Sequence, residues 1–147
     1  SIGTQKHADN ATDESGFEAE RIGRYLTANA AQMDSARLNP PADTVAAEIA
    51  SRLRSLALSV LEEPQRSLEE LDRTLTTLEE KLFAALLTAA PEEQLVALRE
   101  QAARELAPYR GKMQAVQIKQ VQQQFIQKKL LEAHGLPRLS LFYMGHT

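Results

Sequence analysis

Leu68, Leu71, Leu75, Leu78 and Leu82 recur at intervals of three and four residues. That spacing puts all five on one face of an α-helix and does not fit the two-residue period of a half-buried strand. The SLEE stretch that opens the repeat has the form of a capping box. In it, Ser67 accepts a hydrogen bond from a first-turn amide and Glu70 reaches back. Two heptads are short for an independent zipper, so the seam is read as one helix of an intramolecular bundle.

The same period recurs along the chain. Ile22, Tyr25, Leu26, Ala30 and Met33 mark a first helix over about 15–37, ended by Asn39, Pro40 and Pro41. Val45, Ile49, Leu53, Leu56 and Val60 mark a second over about 43–62, capped by Asp43 or Thr44. The leucine seam gives a third over 67–89. Pro91, Glu92 and Glu93 open a fourth over about 91–107, with Leu95, Leu98, Ala102 and Leu106 on its face. A fifth spans about 112–134, stopped by Gly135 and Pro137.

The fold class expected is therefore all-α: a single five-helix bundle-like domain over 15–135, with helices two to four supplying most of the core. Residues 1–14 are polar and aperiodic, and read as a disordered arm. Residues 136–147, LPRLSLFYMGHT, read as an extended apolar tail. No second strand candidate accompanies it. The tail either straps the bundle or docks on a partner.

Chemistry is narrowed mostly by exclusion. The absence of Cys removes thiolate catalysis and Cys-ligated zinc. His7, His134 and His146 lie near the ends, and no HExxH or Glu-x-x-His motif, Gly-rich phosphate loop or GxSxG elbow is present. Three of the four acidic doublets, Glu62 with Glu63, Glu69 with Glu70 and Glu92 with Glu93, sit at helix ends, where dipole and solvation explain them; Glu79 with Glu80 is the fourth. No catalytic residue, metal site or cofactor is expected, and the chain is read as non-enzymatic. No apolar run approaches the roughly 20 residues that span a bilayer, so no membrane partner is expected. The location expected is cytoplasmic.

Charge is unevenly spread. Of 17 Lys and Arg, six follow residue 106: Arg110, Lys112, Lys119, Lys128, Lys129 and Arg138; of 20 Asp and Glu, only Glu132 does. Either this basic helix packs beside the acidic ones or it meets an anionic partner. At its centre is QVQQQFIQKK, residues 120–129. At 100° per residue, Val121 and Phe125 share one face with Ile118, while Ile126 and Leu130 share another with Val116. Such a helix is contacted from more than one direction.

A helical protein–protein interaction or self-association module is the first functional expectation, with Phe125, Ile126, Leu139, Leu141, Phe142 and Tyr143 as its contact residues. The alternative is a DNA- or RNA-binding accessory domain using the basic Gln-rich helix 112–134. There, the turn at 108–111 makes a helix-turn-helix-like corner, Arg110, Lys112 and Lys119 contact phosphates, Gln114, Gln117 and Gln120 reach base edges, and Lys128 and Lys129 complete the nucleic-acid-binding set. The acidity of the whole chain and the lack of interleaved aromatics count against it.

Overall fold

The computed structural model describes the backbone of residues 2–144 and the side chains of residue 16 and residues 18–144. The chain is all-α. It comprises α1 (Ile2–Ser35), α2 (Pro40–Glu62), α3 (Leu68–Ala89), α4 (Glu92–Leu106), α5 (Ala115–Ala133) and a closing turn, α6 (Leu141–Met144). A 3-10 turn, Ala107–Tyr109, follows α4, and no strand occurs among the described residues.

Where helix boundaries differ from expectation, local chemistry explains the shift. α2 begins at Pro40, because two prolines occupy its first positions, where missing amides cost nothing and φ is already set. Asn39 is the cap residue, and Asp43 instead accepts from the Leu38 amide at 2.8 Å. Ser67 caps α3 as its sequence foretells, accepting from the Glu70 amide at 3.4 Å. α5 starts at Ala115 rather than Lys112, with the Gln117 side chain accepting from the Gln114 amide at 3.2 Å.

The polar residues expected as a disordered arm are helical from Ile2 onward. Once the packed face from Ala19 nucleates α1, each added residue gains a hydrogen bond without a new nucleation cost, and no proline intervenes.

α1 packs on α2 and α2 on α3. Ile22, Leu26, Ala30 and Met33 meet Ala46, Ile49, Leu53 and Leu56, then Leu71, Leu75, Leu82 and Leu86, in one buried cluster. The third wall of the core is thus α1, not α4 as expected. α4 buries only Ala102 and Leu106, and neither belongs to the main cluster. Its apolar stripe is narrow, flanked by Gln, Arg and Glu, and fits mainly against α5, with Leu98 touching the edge of the core, so the two helices form a hairpin beside it.

The seam between α1 and α3 is closed by the last part of the chain. Leu130 and Leu131 of α5, then Leu136, Leu139 and Met144, enter the core cluster. α5 ends on Gly135 with φ +65°, the left-handed conformation that a Cβ disfavours. The Gly135 amide bonds the Glu132 carbonyl and the Leu136 amide bonds the Leu131 carbonyl, both at 3.0 Å, a Schellman pair that turns the chain back. The tail then runs without helix or turn over 136–139 and bends at Ser140 before the turn of α6. It is a strap across the bundle, and residues 145–147 lie outside the described residues.

Candidate partner interface

An extended segment with no neighbouring strand must find side-chain partners for its backbone groups. Two carboxylates of α3 supply them. Glu79, only 5% exposed, accepts from the Leu139 amide at 2.8 Å and from Gln127 Nε2 at 2.9 Å, and the Arg138 guanidinium lies 3.4 Å away. Asp72 Oδ1 accepts from the Leu141 amide at 2.7 Å and from Ser140 Oγ at 3.0 Å.

α1 grips the other edge. The Tyr25 hydroxyl donates to the Arg138 carbonyl, Asn29 Nδ2 donates to the same oxygen at 3.4 Å, and Gln32 donates to the Gly135 carbonyl. Burial, reinforced by the Glu79 and Asp72 charges and opposed by Asn29 and Arg138, holds the Tyr25 pKa above the usual 10.0.

The Arg138 side chain, 22% exposed, lies 4.4 Å over the Tyr143 ring and donates to its hydroxyl at 2.6 Å. Its Nε and Nη1 are buried without a hydrogen-bond partner among the described residues.

Beside this lock, α3, α5 and the tail enclose an open groove of about 910 Å³. One wall is Gln120, Gln123, Gln124 and Gln127, spaced i, i+3, i+4, i+7 and hence on one face of α5. The facing wall, on α3, grades from Thr76 and Glu80 to Phe83, Ala84 and Leu87. Arg138, Ser140, Phe142 and Tyr143 close one end. Past Phe83, Leu87 and Gln123, a second hollow of about 380 Å³ continues to Leu95 and Arg99 of α4 and to Lys119 and Ile126 of α5.

The six expected contact residues do not form one surface. Leu139 is fully buried in the core and Leu141 packs partly against it, so both hold the strap down. The helical turn starting at Leu141 replaces the extended conformation expected of this part of the tail. Phe142, 68% exposed, and Tyr143 stand at the groove mouth with their rings edge to face. Ile126 is half-buried against the core, and Phe125 is half-buried with the Lys129 ammonium 5.6 Å from its ring centre.

The basic residues are likewise dispersed. Arg110, Lys112, Gln117, Lys119 and Lys128 are exposed, but Arg110 and Lys112 lie in the turn between α4 and α5. Lys119 and Lys128 are nine residues apart, which places them half a turn out of phase on opposite faces of α5. Lys129 is half-buried and pairs with Glu132 at 3.7 Å.

Sequence reading missed Tyr25, Asn29, Asp72 and Glu79 as the polar anchors of the strap. For Glu79 a signal exists: it lies four residues after Leu75 and three before Leu82, on the buried side of α3. Among the described residues no group of three side chains could hold a metal ion, and no helix is long and apolar enough to cross a membrane. Comparison of the chain with protein-family models, with curated proteins and with solved structures returned no match.

Proposed function

We propose that this chain is a non-enzymatic helical interaction module whose contact surface is the outer side of α5 and the groove beside it. One observation carries the reading: α5, 19 residues long, buries only Leu130 and Leu131. Val116 is 66% exposed, and Ile118, Val121, Phe125 and Ile126 remain part-exposed. A helix that belongs only to its own domain buries an apolar stripe along its length. Here the stripe is split over two faces and separated by amides. Carboxamides hydrogen-bond at a partly buried boundary without the cost of desolvating a charge. A protein interface depleted of charge at its centre has this character. The opposed phases of Lys119 and Lys128, and the internal pairing of Lys129, favour this reading over a nucleic-acid one, which needs a continuous basic surface.

The test is site-specific photo-crosslinking in cells, with the photoreactive side chain at Val116, Gln117 or Gln124 and, as a control, at Ser55 on the exposed side of α2. Discrete protein adducts from the α5 positions, absent from the control, are expected. Adducts to nucleic acid, or none beyond the control, would overturn the reading.

A further inference from the structure

We infer that the groove between α3 and α5 takes a second copy of this chain, the two α5 helices meeting across a two-fold axis through their glutamine stripes. The inference rests on the interaction-module reading and names the partner for that surface.

A face that meets itself across a two-fold must be its own complement. A lysine or glutamate stripe fails this test because like charges oppose each other. A carboxamide passes it, carrying both an acceptor oxygen and a donor NH₂. Four of them line the α5 wall, and they follow one another at helical spacing. Gln127 is occupied by Glu79, which fixes one end of the stripe, whereas Gln120, Gln123 and Gln124 are exposed and have no hydrogen-bond partner among the described residues.

In an antiparallel pairing, Gln120 of one copy faces Gln127 of the other, and Gln123 and Gln124 flank the axis. No lysine lies on the stripe. The apolar part of the α3 wall, Phe83, Ala84 and Leu87, gives the arriving helix a surface to cover, and α3 and α5 of both copies then form a four-helix arrangement.

Charge complements the same placement. Glu80 on the α3 wall and Lys128 beside the stripe form no ion pair with any described residue. The segment after residue 106 carries six of the 17 Lys and Arg against one carboxylate, while the rest of the chain is acidic. Packing α5 of one copy against α3 of the other sets basic against acidic surface on both sides of the axis.

The absence of Cys makes the test direct. The purified chain is measured by light scattering over a concentration series, and single-cysteine variants Gln124→Cys and Ser55→Cys are exposed to mild oxidant. The expected result is a mass rising to twice the 16.3 kDa of one chain. Rapid disulfide dimerisation is expected of Gln124→Cys and not of Ser55→Cys.

Gln124→Glu, which sets two carboxylates at the axis, should weaken self-association by roughly tenfold or more while leaving the circular dichroism unchanged. Should that variant misfold, Gln123→Glu serves in its place. A monomer at about 1 mM overturns the inference, as does a dimer that crosslinks equally well at both positions or ignores the glutamate. A monomeric purified chain that still gives foreign-protein adducts from α5 in cells overturns self-pairing and leaves the interaction-module reading standing; no adducts at all overturns both.

Discussion

Glu79 performs, with one carboxylate, the work that a neighbouring strand would otherwise do for the tail. Its removal in Glu79→Ala leaves the Leu139 amide unsatisfied and the Arg138 charge without its carboxylate. A loss of about 2–4 kcal/mol in urea-unfolding stability is expected, with Glu79→Gln, which still accepts, losing less. Equal losses in the two variants would mean that packing, not the hydrogen bond, is what Glu79 provides.

Tyr25 gives the strap an alkaline limit. The folded state holds the Tyr25 proton more tightly than the unfolded chain, so its contribution is whole below about pH 10 and declines as pH rises past that value. Tyr25→Phe should flatten this decline and reduce the tyrosinate absorbance that develops above pH 10. An unchanged alkaline titration would show that Tyr25 is not the late-ionising group. Tyr25 was legible as part of a helical stripe, and Asn29 was not singled out. Their polar role was not legible, because Arg138 lies more than a hundred residues away in sequence.

At the scale of elements, the strap is a structural member and not an appendage. Ending the chain after Gly135 removes Leu136, Leu139 and Met144 from the core. At about 1.5–3 kcal/mol for each buried side chain, the loss of roughly 5–9 kcal/mol rivals the whole stability of an ordinary domain. The truncated chain should keep much of its helical circular dichroism but lose its cooperative thermal transition; a sharp transition within a few degrees of the intact chain's would sink this account.

The helices themselves were readable from period, prolines and the SLEE cap. Their partners were not. Period tells which face of a helix is apolar, not what covers it, and so α4 was assigned a share of the core that α1 holds. The tail's strand-forming residues fitted both a strap and a docking peptide. What decides between them is the pair of carboxylates about two turns apart on one face of α3, Asp72 and Glu79.

For the whole molecule, two regions of unequal cohesion follow. α1, α2, α3 and the strap share one buried cluster, whereas α4 and the first half of α5 rest mainly on each other. Backbone amides with few buried neighbours open at lower free energy. Hydrogen exchange by mass spectrometry should find α4 and residues 115–125 exchanging roughly tenfold or more faster than α2 and α3. Protection of α4 equal to that of α3 would show a single cooperative unit instead.

The position of the strap also sets a schedule for synthesis. α1, α2 and α3 emerge first, yet the seam between them waits for residues as late as Met144. At about 5–20 residues per second, the stretch from Ala89 to Met144 takes roughly 3–11 s, during which an apolar seam stands open on an otherwise assembled three-helix unit. A nascent chain stalled before Leu136 should therefore bind general chaperones and yield to protease, and one stalled well beyond Met144 should resist both.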